Sequence, residues 1–372
     1  MLYFNYAGLS PTNPQVIRAM HDAADTFDAL LYSESGIAWY CKQVKECTKS
    51  IAALLRVHSG QDGHSLTLCP NATVSLRITL SMIALQSGDL VITSDQEHLS
   101  TLHALSGLAQ RGIVVQVIPA RTEAQFLTQL EDACKLKAAK VVLLSHVSHL
   151  DGRIFPVESI CKITSKRDIV LALDGAQAVG HIPVTMGSIP ADFYYFSGHK
   201  WCAGPMGSGA LLVSRHYQNS RASKQAGRLE EKGSEAVLDL GTQNIGLIAG
   251  LRTACALKDQ EWPAMARLTG LRELVSECLG KIRDVEVEIA GWDRAHAPGI
   301  LSVRVQKPGF DPARIATYLS QRYQIALKPI QYPDVPPLLR VSWTHTTSDH
   351  DVVFLAEKLE EALERFSARS TE

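Results

Sequence analysis

The residues of this chain best placed to do chemistry centre on a lysine. Lys200 lies in Ser197–Gly198–His199–Lys200, just after the aromatic run 193–196 and just before the helix-breaking Gly204–Pro205–Met206–Gly207. The pattern puts an amine at a strand end, on a turn, beside a histidine. That placement suits attack on a carbonyl, the chemistry of a Schiff-base lysine. Upstream, the apolar run 171–173 ends on Asp174. A Schiff-base lysine with an acid able to pair a pyridinium nitrogen is the set that pyridoxal phosphate (PLP) requires. His98 and His149 follow two further apolar runs, 90–93 and 141–144. His146 and His149 form an HxxH pair, but no ligand set is completed around it, so no metal is expected.

These side chains need a scaffold that gathers strand ends. Period and punctuation predict strands at 66–69, 90–93, 113–118, 141–144, 169–173, 193–196 and 209–213. Helices are expected at 14–27, 39–55, 74–85, 100–110, 123–135 and 157–164. Short apolar strands separated by helices indicate an α/β fold with a mainly parallel sheet covered on both faces. Ligands of such sheets bind beyond the carboxyl ends of the strands. His98, His149, Asp174 and Lys200 all fall there. Asn71 or Thr73 can cap the helix after the first of these strands, and the amides of a helix start favour phosphate; an ordinary N-cap has the same sequence.

After residue 214 the texture changes. Residues 219–233 read as a charged loop, followed by helices at 245–257 and 262–282. An α+β pattern then predicts strands at 285–289, 299–305 and 339–343, a helix at 312–321, and a last helix from Ser348 with Asp351 at capping-box spacing. Three parts are expected: an arm at 1–13, a large domain at 14–254 and a smaller α+β domain at 255–372. With 46% hydrophobic residues and a net charge of -1 over 372 residues, nothing favours a nucleic-acid or membrane partner. Eight cysteines without a CxxC exclude a zinc ribbon or a thioredoxin-type pair. No signal peptide and no run of about 18 apolar residues is found, so a reduced, cytoplasmic protein is expected.

The pair Asp174–Gly175–Ala176–Gln177 and Ser197–Gly198–His199–Lys200–Trp201 resembles the class V aminotransferase family, the cysteine desulfurases and their relatives. Tyr3 to Gly8 resembles the family's N-terminal arm, and Asn71–Ala72–Thr73 its phosphate-binding turn. Gln96–Glu97–His98 resembles its ring-stacking histidine motif, and His146 to Gly152 its next strand-end motif. Gly241–Thr242–Gln243–Asn244 resembles a threonine turn that reaches the phosphate of a neighbouring subunit, and Leu339–Arg340–Val341–Ser342 its carboxylate-binding arginine motif. The resemblance implies PLP fold type I, with a sheet of the seven-stranded type, and a homodimer with active sites shared between subunits. It also implies roles. Lys200 holds PLP as a Schiff base and then shuttles a proton, Asp174 pairs with the ring nitrogen, and His98 stacks on the ring. Gln177 bonds the phenolate oxygen, and His149 lies near the ring. Asn71, Ala72, Thr73, Ser197, His199 and the partner's Thr242 bind phosphate. Arg340, with Ala7 and Gly8 of the arm, binds an amino-acid substrate.

Cysteine desulfurases take up sulfur on a cysteine shortly before that arginine. Residues 323–340 contain none, and the last cysteine of the chain is Cys278. The expected reaction is therefore β-elimination from cysteine, cystine or an S-substituted cysteine or sulfoxide, a carbon–sulfur lyase reaction yielding aminoacrylate, then pyruvate and ammonia. The pattern 200–207 resembles that of cysteine/cystine C–S lyases. An isopenicillin N epimerase-like enzyme, a desulfurase with an unusual sulfur acceptor, and a non-catalytic PLP-binding protein are the alternatives. Substrate selectivity is expected from the arm and from loops at 32–39, 219–233 and 329–337.

Overall fold

Continuous apolar runs too short for helices become the strands of one sheet, because residues buried on both faces need no polar alternation. In the computed structural model, described over residues 1–31, 33–57, 63–220, 240–261, 265–288, 292, 296–306, 310–332 and 335–367, these runs are β2 (His64–Cys69), β3 (Leu90–Ser94), β4 (Val114–Ile118), β5 (Ala139–Ser145), β6 (Val170–Asp174), β7 (Phe193–Ser197) and β8 (Gly209–Ser214), after a short β1 (Leu2–Tyr3). They form a seven-stranded sheet in the order β2-β8-β7-β6-β5-β3-β4. Pairings from β4 to β7 are parallel; β7–β8 and β8–β2 are antiparallel. The chain runs from β3 out to the edge strand β4, then returns to β5 on the other side of β3. The carboxyl ends of β3 and β5 thus mark a switch point, the place where ligands of such sheets bind.

Helices α1 (Pro14–Leu30), α2 (Glu34–Leu54), α3 (Ala72–Met82), α4 (Leu99–Ala109), α5 (Glu123–Cys134), α6 (Val157–Ser165), α7 (Arg215–Asn219) and α8 (Ile245–Gln260) accompany the sheet. Helix α2 begins five residues earlier than its period suggested. Ser33 Oγ accepts the Gly36 amide at 3.1 Å, so the Ser-Glu-Ser-Gly stretch read as loop is an N-cap and first turn. Leu76, Leu143, Ala172, Tyr195 and Leu211 belong to one buried cluster of this sheet. Leu143 is fully buried, and Leu143→Ala would cost about 2–5 kcal/mol.

These elements make up one compact unit, Pro11–Ser148 and Ile154–Gln260. The other comprises Met1–Ser10, His149–Arg153 and Glu261–Glu372. It contains α9 (Met265–Gly280), β9 (Val285–Glu288), β10 (Ile300–Val305), α10 (Pro312–Tyr323), β11 (Ile325–Ala326), β12 (Lys328–Tyr332), β13 (Val335–Ser342) and α11 (Asp349–Ser367). A four-stranded antiparallel sheet has the order β12-β13-β10-β9, and β1 pairs in parallel with β11. Much of the stretch 329–337, expected as a proline-rich loop, is strand. Pro329 is accommodated because β12 is an edge strand. At the start of α11, Ser348 Oγ accepts the Asp351 amide and Asp351 Oδ2 accepts the Ser348 amide, the expected capping box. Phe4, Leu271, Leu339, Trp343 and Leu355 share this unit's core. Leu150 packs with Ile330 and Leu338, which draws the short segment 149–153 into this unit. No helix among the described residues is long and apolar enough to cross a membrane. The charged loop at 219–233 lies, from residue 221 on, outside the described residues, as do Tyr32, Pro333, Asp334, and residues 262–264 and 289 of an expected helix and strand.

Candidate active site

Strand β6 delivers Asp174 at its last position, paired in register with Ser145 of β5 and Tyr195 of β7. Its Oδ1 accepts the Ala176 amide at 2.8 Å. Burial pushes the carboxyl up, while the Lys200 ammonium pulls it down. The acid and the lysine therefore lie within electrostatic reach of one another, as their spacing in the sequence suggested. Next to Asp174, Gly175 allows the Tyr194 ring to lie where any side chain would stand: a Cβ there would come within 2.4 Å of the ring. Tyr194 is held in turn by His146, Nδ1 to hydroxyl 2.8 Å. Burial drives the His146 imidazole down to about 4, so it is neutral at pH 7.

Lys200 follows β7 on a turn closed by the Gly204 amide to the Gly198 carbonyl at 2.9 Å and the Ala203 amide to the Lys200 carbonyl at 2.9 Å. Neighbouring His199 is brought down to about 4 by burial and by the Lys200 charge. Its Nδ1 is buried without a hydrogen-bond partner among the described residues. Ser197 Oγ accepts the Ala72 amide at 2.9 Å, tying the end of β7 to the start of α3. Asn71 is the N-cap of α3, its Oδ1 accepting the Val74 amide at 2.9 Å. Asn71, Ala72, Thr73 and Ser197 therefore meet at one helix start, where amides and the macrodipole favour an anion.

Gln177 is held by Trp201, part of the lysine motif but without a role in it, and His98 by Ser100, which no sequence pattern singled out. Trp201 Nε1 donates to Gln177 Oε1 at 2.6 Å. Indole nitrogen only donates, so this bond fixes the carboxamide with its NH2 as the other end. Trp201 is itself stacked on His181 at 3.6 Å and 10°. His98 is the N-cap of α4; its Nδ1 accepts the Ser100 amide at 3.2 Å and lies 2.9 Å from Ser100 Oγ. Thr242 is exposed on a turn whose Gly241 has φ +76°. Gln243 fastens that turn: its amide donates to Tyr40 Oη at 2.8 Å and its Nε2 to the Leu68 carbonyl at 3.2 Å.

The remaining expected residues belong to the other unit. Arg340, on β13, is 3% exposed. It donates to the His149 carbonyl at 2.9 Å and to Asn5 Oδ1 at 3.3 Å. Burial pulls the guanidinium down to about 10 against the attraction of the Tyr332 and Tyr3 phenols. Its Nε has no hydrogen-bond partner and no carboxylate pairs with it among the described residues. A buried cation without an acid is what an incoming carboxylate would complete. His149 stacks its ring on Tyr332 at 5.8 Å. Ala7 is buried, its amide donating to Ser342 Oγ at 3.0 Å, and Gly8 follows on the arm. Asn5, inside the arm motif but given no role by it, aligns the arm with Arg340.

Tested against PLP, the larger unit's residues fit. A lysine and an acid sense each other, a helix start supplies the dipole that favours an anion, His199 Nδ1 awaits a partner, and Gln177 is fixed to donate. A family model described as "Aminotransferase class-V" matches residues 2–329. Among curated proteins, the cysteine desulfurase IscS of Pectobacterium carotovorum is 27% identical over 311 residues, covering 81% of this chain and 74% of that protein. The cysteine desulfurase IscS of a Salmonella paratyphi B strain is 28% identical over 312 residues with the same coverage. Among solved structures, a complex of the cystine C–S lyase C-DES with its reaction product cysteine persulfide superposes with TM-score 0.82 at 20% identity, covering 96% of this chain and 97% of that one. The apo cysteine desulfurase of Thermococcus onnurineus NA1 gives TM-score 0.82 at 23% identity, covering 98% and 95%. At these identities the structures establish a shared fold.

Proposed function

The chain belongs to the class V aminotransferase family, a family of PLP-dependent enzymes, and from that premise we propose that it is a carbon–sulfur lyase acting on cysteine, cystine or an S-substituted cysteine. The observation that carries this reading is the chain's thiol inventory. Residues 323–340 contain no cysteine. Burial pushes Cys47 and Cys161 up to about 12 and Cys134 to about 11, so these thiols do not ionise near neutrality. Cys202, two residues from Lys200, is buried with its thiol on the Val179 carbonyl at 3.7 Å. Sulfur released from a substrate thus meets no cysteine in 323–340 and only buried thiols at these positions, Cys41 on α2 being the exposed one, and leaves as a small thiol or persulfide.

PLP, when bound, supplies an electron sink for the pair left at Cα as its proton departs. The protein's own groups do the rest. Lys200 Nζ holds the cofactor at rest and, once substrate takes its place, removes the Cα proton. Asp174 keeps a proton on the ring nitrogen, and its position at a buried strand end makes that charge pair strong. His98 covers the ring face, and the Gln177 NH2 donates to the phenolate oxygen. Asn71, Ala72, Thr73, Ser197 and His199 take the phosphate. Arg340 binds the substrate carboxylate as a planar fork, beside the arm residues Ala7 and Gly8. With a thiolate, persulfide or sulfenate on Cβ, the pair at Cα expels it, and the remaining aminoacrylate takes up water to give pyruvate and ammonia. The exposed Thr242 on its fastened turn suits donation to a phosphate in a second copy of the chain, which makes the active form a homodimer, and the cytoplasm is the compartment in which it works. Incubation with cystine, cysteine and S-substituted cysteines in heavy water tests the reading. Pyruvate and the expelled thiol or persulfide in equal amounts are expected. Deuterium at Cα without pyruvate would instead mark an epimerase, and alanine in place of pyruvate a desulfurase.

A further inference from the structure

Strands β3 and β5 part company before they end. Their register runs through Leu90, Val91 and Ile92 against Ala139, Val141 and Val142, and stops there. Beyond that point side chains replace the ladder. Thr93 Oγ1 donates to the Leu143 carbonyl at 2.9 Å. At the mouth of the fork stands Glu97, 3% exposed. Its Oε1 accepts Ser94 Oγ at 2.7 Å and the Ser145 amide at 3.1 Å, and its Oε2 accepts Ser145 Oγ at 2.8 Å. Ser94 and Ser145 are the last residues of the two diverging strands. The following residue in the chain is His98. Ser145 is the register partner of Asp174, and the His146 amide donates to the Asp174 carbonyl at 2.8 Å.

We propose that Glu97 is a positioning residue that clamps the splayed ends of β3 and β5, so that the stacking imidazole of His98 and the carboxylate of Asp174 are held at a fixed separation around the PLP ring. This inference rests on the PLP reading above. Plain structural use would be served by an apolar side chain. Instead a carboxyl group is buried where no cation pairs with it among the described residues, and the charged group it feels is Asp174 on β6. Burial lifts it to about 7; the Tyr195 phenol on β7 senses both carboxyls. All three bonds end on the two strands that flank the switch point. A buried carboxyl with three donors holds its neighbours far more tightly than a solvated one.

The experiment uses the full chain with PLP. The parent is first checked for a visible cofactor band that Lys200→Ala abolishes; a parent without that band overturns the PLP reading itself. Then Glu97→Ala, Glu97→Gln and Ser145→Ala are compared by PLP dissociation into a trapping protein and by circular dichroism of the band, all well below the melting temperature. Glu97→Gln keeps both Oε1 bonds and can donate to Ser145 Oγ, so affinity within about threefold and a near-parental band are expected. Glu97→Ala should weaken PLP binding about tenfold or more and reduce the band's ellipticity. Should Glu97→Ala not fold, Ser145→Ala reads the same clamp, with a loss of about threefold or more expected. Parental PLP affinity and ellipticity in Glu97→Ala, or in Ser145→Ala where that variant must stand in, would overturn the inference while leaving the PLP reading intact.

Discussion

Replacing Arg340 by methionine separates an arginine kept for a ligand from one kept for the fold. The guanidinium is buried, and burial lowers its pKa to about 10. That drop exceeds two powers of ten in proton affinity, or about 3 kcal/mol against the charged form. Arg340→Met relieves this cost and gives up the bonds to the His149 carbonyl and Asn5 Oδ1. Each is worth about 1.5–3 kcal/mol from a charged donor. The contributions largely cancel, so the expected loss of folding stability is about 3 kcal/mol or less. Breaking a completed buried ion pair would cost about 3–5 kcal/mol. Substrate recognition should respond differently. Two charge-assisted bonds to a carboxylate are worth about 3–5 kcal/mol, so kcat/KM should fall by about 10²–10³ or more. The paired assay is a denaturation curve beside kcat/KM for an S-substituted cysteine and for its decarboxylated amine. Parent enzyme should prefer the carboxylate, and the variant should lose that preference. A variant destabilised by about 4 kcal/mol that still discriminates would refute the assignment and make Arg340 a structural prop.

Lys200→Ala is expected to bind PLP without the visible band of the lysine-bound cofactor and to lose activity by several orders of magnitude, read by absorbance and pyruvate release. Trp201→Phe removes the donor that fixes the Gln177 amide; a loss of about 1 kcal/mol in PLP affinity, roughly fivefold, should appear as a shifted cofactor band at unchanged fold. The pH dependence of stability carries two opposing contributions. His146 is held below its ordinary 6.5, so it stabilises above that value and the contribution is lost as pH falls towards about 4. Glu97 is raised above its ordinary 4.5, so its contribution is full below that value and lost as pH rises through about 7. Each spans on the order of 3 kcal/mol. Glu97→Gln should therefore steepen the loss of stability on acidification between about pH 6.5 and 4.5, measured as melting temperature against pH. An unchanged slope would contradict the buried state of that carboxyl.

How much of this was legible depended on whether a feature is local. The runs 141–144 and 169–173 are readable because strands buried on both faces must be apolar throughout, and Asp174 at the end of one stands out against them. Lys200 is readable because aromatic residues precede it and glycine and proline follow. Helix α2 was read short because its cap, Ser33, sits in a stretch rich in serine and glycine that also suits a loop. The strands within 325–338 were missed because prolines at an edge look like loop until the neighbouring strand is known. Glu97 lies inside the ring-stacking histidine motif, which gives it no role of its own; its clamp appears only when Ser145, 48 residues away, closes over it. Arg340 could be matched to a motif, yet its isolation from any acid among the described residues is a property of the packing.

The N-terminal residues belong to the unit built by the last third of the chain. Leu2 and Tyr3 pair with Ile325 and Ala326, and the Ser342 amide donates to the Phe4 carbonyl at 2.9 Å. During synthesis the arm therefore emerges long before its partner strand and waits while more than 300 residues follow. At about 5–20 residues per second the wait is on the order of tens of seconds. The larger unit can collapse meanwhile, but Asn5 cannot reach Arg340 until residue 340 has left the ribosome. The Asn5–Arg340 contact is thus made long after both strands at the switch point have emerged, and a nascent chain halted before residue 340 would carry a finished seven-stranded sheet without it.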